Sequence, residues 1–244
     1  MKIVEDVYLV GGGMIGLSHS SDSYVYLIDG KNEVALIDAG VGIDSEHIFH
    51  NIENEGYQLS DIKKVILTHI HADHAGGCRC FKEKANSLLF VPQAEVELFE
   101  AGIDDELGLN IAKESGIYPP DYIFPHCKVD HSVKHNETIK VGNLSLRAIH
   151  IPGHSPGSTC FLMEKNERRI LFSGDVVFYD GEIGLINCSG SNLADYRKYV
   201  TRLANLSVDV LLPGHKMFTL RGGQGHINKA IKALRELSVP KSFI

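Results

Sequence analysis

Thr68-His69-Ile70-His71-Ala72-Asp73-His74 sets three histidines and an aspartate within six positions, directly after the apolar run Val65-Ile66-Leu67. That run is short and rich in branched apolar residues, the pattern of a buried strand. Residues that follow such a strand leave the sheet at its carboxyl end, where open α/β sheets keep their sites. In extended backbone His69 and His71 project to the same side and can grip one ion together. Asp73 repeats that period and His74 follows at once, which gives a second ion its first donors. Desolvating so many polar groups without a cation to pair them is costly. Ala75-Gly76-Gly77 then removes side-chain bulk where backbone must approach closely.

Working outward, the same device recurs. Ile149-His150-Ile151 feeds the turn Pro152-Gly153-His154-Ser155-Pro156-Gly157, Leu171-Phe172-Ser173-Gly174 delivers Asp175, and Val210-Leu211-Leu212-Pro213-Gly214 delivers His215. Each is a strand, a tight turn and then a metal-type ligand.

With these motifs the chain resembles the metallo-β-lactamase superfamily over nearly its whole length. The resemblance implies an α/β fold, a four-layer αββα sandwich. It also implies roles: His69, His71 and His154 on a first metal, Asp73, His74 and His215 on a second, and Asp175 bridging the two. Asp38, in Leu36-Ile37-Asp38-Ala39-Gly40, matches an early aspartate that in relatives orients the ligand loop; a turn-forming aspartate before glycine fits the same residues. Within the superfamily, Asp175 argues against antibiotic hydrolysis, and His71, where flavodiiron relatives carry glutamate, argues against oxygen reduction. The remaining likeness is to the glyoxalase II, lactonase and esterase-like branch.

The donor set predicts the chemistry. Nitrogen and oxygen ligands without thiolate suit two divalent ions, zinc above all, with iron or manganese also accommodated. Two such ions bring +4, and the carboxylates of Asp73 and Asp175 return −2, so a metal-bridging hydroxide fits the balance. Water on zinc has its pKa lowered to about 7 and becomes a nucleophile at neutral pH. The expected reaction is hydrolysis of an ester, thioester or lactone, with Asp73 as proton shuttle to the leaving group. Two alternatives share the pattern: a mononuclear-iron enzyme resembling persulfide dioxygenases, and a non-catalytic sensor using the same fold.

Composition bounds the rest. At 244 residues, with motifs running from Asp38 to His215, residues 1–244 are expected to form a single catalytic domain. A formal net charge of −7 without a long Lys/Arg cluster argues against nucleic acid as substrate. No apolar stretch approaches the ~20 residues that span a bilayer, and no secretory pattern opens the chain, so a cytoplasmic protein with a small acyl substrate and no membrane partner is expected. Five cysteines, an odd number without scaffold spacing, agree with a reducing compartment. Cys78 and Cys80 read as ordinary packing residues.

Strands are expected at 7–10, 24–28, 34–37, 144–149, 159–162 and 169–172, with a helix capped by Ser45 and bearing Ile48, Phe49 and Ile52 on its apolar face. Gly11-Gly12-Gly13 lacks nucleotide-loop spacing and reads as a turn. Further helices are expected from about Asn192 to Leu206 and around Ile227, Ile231 and Leu234. Between Pro92 and His135 an acidic stretch (Glu95, Glu97, Glu100, Asp104, Asp105, Glu106) reads as solvated helix surface. Tyr118, Tyr122 and Phe124 are expected to line an apolar pocket or a homodimer contact. Tyr179, just past Asp175, is a candidate oxyanion donor, while His226 reads as a cap of the final helix region and the basic residues of the tail as helix surface.

Overall fold

The structure is a computed structural model that describes residues 1–105 and 107–243; of the acidic stretch, Glu106 lies outside the described residues. The chain divides into two compact units, residues 1–132 with 141–143, and residues 133–140 with 144 onward.

In the first unit β1 (Lys2–Val4), β2 (Val7–Gly11), β3 (Val25–Asp29) and β4 (Val34–Ile37) pair antiparallel in sequence order. After α1 (Ser45–Asn54), β5 (Ile62–Ile66) joins β4 in parallel. The single helical turn α2 (Ala72–Ala75) and helix α3 (Cys78–Ala85) then lead to β6 (Leu88–Pro92), parallel to β5. Helices α4 (Val96–Ala101) and α5 (Leu109–Glu114) precede β7 (His131–Val133), which completes a sheet of order β1-β2-β3-β4-β5-β6-β7 among the described residues. The switch from antiparallel hairpins to parallel crossovers comes where helices begin to separate the strands, as parallel pairing requires.

Ile48, Phe49 and Ile52 of α1 and Phe81 of α3 pack with Leu36, Val65 and Leu67 in one core. Burying each such side chain contributes roughly 1.5–3 kcal/mol. Ser45 opens α1 but does not cap it: Asp44 holds the N-cap position, and Ser45 is the first helical residue. Tyr118, Tyr122 and Phe124 belong to this same core. All three rings are buried there, and Tyr118 reaches the ligand loop through its hydroxyl, which donates to Asp73 Oδ1.

In the second unit β8 (Thr138–Val141), β9 (Leu144–His150), β10 (Thr159–Lys165), β11 (Arg168–Gly174) and, beyond α6 (Leu193–Tyr199), β12 (Val210–Pro213) make a sheet of order β12-β11-β10-β9-β8. The β9, β10 and β11 pairs are antiparallel, and β12 joins β11 in parallel. Helix α7 (Gly223–Leu234) follows, and Ile227, Ile231 and Leu234 pack with Tyr196, Leu171 and Leu211 in this unit's core. The helix expected to reach Leu206 ends earlier. Asn192 caps it by accepting from Asp195 N, α6 stops at Tyr199, and a 3₁₀ turn continues only to Leu203.

Candidate metal centre

In the first unit the ligand loop begins as expected and then changes character. β5 stops at Ile66, His69 and Ile70 lie in irregular backbone, and His71, at φ −58° and ψ 147°, is the N-cap of α2. Asp73 therefore does not continue an extended period-two pattern; it sits with His74 on a helical turn. The change of backbone brings the rings together. His69 and His74 stand 4.1 Å apart between ring centroids, and His69 and His71 4.7 Å, edge to face. One donor atom of each member of the pairs His69/His71, His69/His74 and Asp73/His74 lies within 4.8 Å of its partner.

Asp38 fixes this loop. It is buried at φ 62°; Oδ1 accepts from Thr68 N at 2.8 Å, while Oδ2 accepts from Thr68 Oγ1 at 2.9 Å and faces His74 Nδ1 at 2.8 Å. Burial pushes the Asp38 carboxyl above its ordinary value, and His74 and Thr68 pull it part of the way back. With Nδ1 engaged, His74 turns Nε2 to Asp73 Oδ2, 3.5 Å away. Tyr118 donates to Asp73 Oδ1 at 3.2 Å. Burial, and then the Asp73 charge, hold the Tyr118 hydroxyl well above its ordinary value, so it remains a donor. Gly76 and Gly77 are required sterically: a Cβ on either would stand 2.0 Å from the Val41 or Ala39 carbonyl oxygen.

Glu95 is the residue that sequence reasoning misplaced in this unit. It is 1% exposed, and Oε2 accepts from the Ile70 backbone N–H at 3.1 Å, in the middle of the ligand loop. Only the register of Glu95 after β6, which is not visible in local charge pattern, tells it from the solvated acids around it.

In the second unit His154, Asp175 and His215 each follow a strand end, as expected. His154 Nε2 lies 3.7 Å and His215 Nε2 3.5 Å from Asp175 Oδ2. His154 Nδ1 meets the Gly184 carbonyl oxygen at 2.5 Å. Tyr196, read from sequence as a plain apolar-face residue, donates to the Asp175 carbonyl oxygen at 3.0 Å and accepts from Gly184 N at 3.1 Å. Burial and the Asp175 charge raise its hydroxyl well above the ordinary value. Tyr196, Gly184, Asp175 and His154 thus form one buried network. Tyr179 is 41% exposed, with its ring 4.3 Å from His226. His226 lies inside α7, whose N-cap is Gly222, and its Nδ1 accepts from Asp180 N at 2.9 Å rather than capping its own helix.

In both units a histidine has Nδ1 committed to a protein oxygen and Nε2 turned toward a carboxylate. That is how a neutral imidazole is prepared as a metal ligand, and the nitrogen and oxygen donors fit a divalent ion such as zinc.

Comparison with known proteins agrees. The family model described as "Metallo-beta-lactamase superfamily" matches residues 21–215. The chain belongs to the metallo-β-lactamase superfamily. Among its relatives there, acyl-coenzyme A thioesterase MBLAC2 of Gallus gallus is 30% identical over 207 residues, covering 78% of this chain and 71% of that protein. Hydroxyacylglutathione hydrolase GloC of Haemophilus influenzae is 24% identical, covering 82% and 88%. A subclass B3 metallo-β-lactamase of Bradyrhizobium japonicum matches in structure with a TM-score of 0.73 at 24% identity, over 95% of this chain and 89% of that one. That likeness shows the fold, the αββα metallo-β-lactamase fold expected from sequence.

Proposed function

We propose that the chain is a dinuclear metal-dependent hydrolase of small acyl thioesters. His69, His71 and His154 would hold one ion and Asp73, His74 and His215 the other, with Asp175 bridging, so that both units act as a single catalytic domain. The observation that carries this proposal is the shared preparation of His74 and His154, each pinned through Nδ1 with Nε2 turned to a carboxylate that is itself a candidate ligand. A thioester is favoured over other acyl groups because one relative is named an acyl-coenzyme A thioesterase and another a hydroxyacylglutathione hydrolase, whose named substrate is also an acyl thioester.

Bound ions of this kind supply a Lewis acid and a nucleophile at neutral pH. The protein's part is positioning and proton handling. Asp38, through Thr68 and His74, and Glu95, through Ile70, hold the ligand loop against rotation. Asp73, whose Oδ1 accepts from the Tyr118 hydroxyl, would take up the proton that the attacking water loses and pass it to the departing sulfur. A thiol ionises near pH 8.5, so its thiolate leaves with little help, and Asp73 has less to do than it would for an alkoxide. No helix among the described residues is long and apolar enough to cross a membrane.

The test is metal quantitation on protein prepared without chelators, followed by assay of acyl thioesters, lactones and carboxyl esters with that metal bound. Two ions per chain and preference for thioesters are expected. One iron per chain with persulfide oxidation, or two ions with no acyl hydrolysis, would overturn the proposal.

A further inference from the structure

In the second unit the final described residues run back along Ile183. Ile183 N donates to Lys241 O at 3.1 Å, Phe243 N donates to Ile183 O at 3.0 Å, and Ser242 Oγ donates to Leu185 O at 2.7 Å. Lys241 Nζ pairs with Glu182, whose second oxygen takes Lys216 Nζ at 2.6 Å. So held, the Phe243 ring stacks on Phe178 at 4.6 Å and 27°, and lies nearly parallel to the His215 ring at 5.5 Å and 17°.

We propose that Phe243 is a positioning residue for His215, fixing the plane of its imidazole and stabilising that ring when it carries part of a cation's charge. The inference rests on His215 being a ligand of the dinuclear centre. The terminal torsion of a histidine is broad, so a ring that must present Nε2 to an ion needs an external guide. His74 and His154 have theirs in the Nδ1 contacts to Asp38 and Gly184. The parallel phenyl face is such a guide at His215, whatever else the ring meets, because turning the imidazole out of plane would bring it up against Phe243. The electrostatics point the same way: an aromatic face is negative, and an imidazole bound to a divalent ion is electron-poor. The ladder to Ile183 and the Glu182 ion pairs hold the phenyl ring in place.

The experiment uses the full chain loaded with Co²⁺, with affinities read by chelator competition and each site followed by its visible absorption. Phe243→Leu keeps bulk but removes the π face; Phe243→Tyr keeps the face. The expected result is that Phe243→Leu weakens one of two ions about three- to tenfold and shifts that site's absorption, with the other site unchanged. Phe243→Tyr should restore both values. Unaltered affinities and spectra in Phe243→Leu overturn the inference, as does Phe243→Tyr behaving like Phe243→Leu, which would mean packing alone. If Phe243→Leu unfolds by circular dichroism, Phe243→Met replaces it with the same outcomes. His215→Ala separates the two levels: retention of both ions overturns the ligand assignment and this inference together. Loss of one ion there, with Phe243→Leu silent, overturns only the role of Phe243.

Discussion

The two units prepare their ligands by different means. In the first, four candidate donors come from one continuous loop, His69 to His74, which is fixed by carboxylates from other parts of the chain, Asp38 and Glu95. In the second, three donors come from three separate strand ends: His154 is held by the Gly184 carbonyl, the Asp175 main chain by the Tyr196 phenol, and the His215 ring lies parallel to Phe243. A loop that carries several ligands has many torsions to restrain and needs strong, charge-assisted anchors. Ligands presented singly from a sheet inherit its rigidity and need only neutral hydrogen bonds. The first unit should therefore be the more sensitive to loss of an anchor.

The largest effect should come from ligands themselves. Asp175→Ala should abolish thioester turnover and lower occupancy toward one ion per chain, read by metal analysis; unchanged stoichiometry would end the bridging assignment. Next come the anchors of the first unit. Asp38→Ala removes the acceptor of Thr68 N, Thr68 Oγ1 and His74 Nδ1 at once, and metal affinity should fall about 10- to 100-fold. Glu95→Ala leaves the buried Ile70 N–H without this acceptor, a loss of about 1–3 kcal/mol in chemical denaturation.

Tyr196→Phe is the matched change in the second unit, and it should cost less in metal affinity than Asp38→Ala. If it costs more, the ranking of the two anchoring schemes is wrong. The smallest effect concerns Glu182. Burial raises its carboxyl, but hydrogen bonds and charge from Lys216 and Lys241 hold it below its ordinary value. A depressed carboxylate stabilises the fold above its unfolded pKa, and that contribution is lost as pH falls through the folded one. Glu182 is partly screened by solvent, so the stability that Glu182→Gln removes near neutral pH should be under about 1 kcal/mol. Unfolding curves of the two proteins should converge in acid.

Much of this was legible in the chain because the ligands announce themselves. The strand before His69, the turns before His154, Asp175 and His215, and the apolar period of Ile48, Phe49 and Ile52 are all local patterns, and local patterns survive in sequence. What escaped was held by distance along the chain. Glu95 looks like its solvated neighbours until β6 fixes its register beside Ile70, and Tyr196 looks like core until its hydroxyl is seen to reach Asp175 and Gly184. Tyr118, Tyr122 and Phe124 read as an apolar set, and which core they join, that of the first unit, is fixed only by the fold. The helical turn at Ala72–Ala75 overrode the period-two reading of Asp73 because backbone hydrogen bonds from His74 and Ala75 to the His71 carbonyl close the loop there.

Gly184 has a practical consequence. Its N–H ends on the Tyr196 hydroxyl and its carbonyl on His154, so a single residue reads the state of both. Amide hydrogen exchange at Gly184 would then time the opening of this ligand cluster directly, with neither metal nor substrate required.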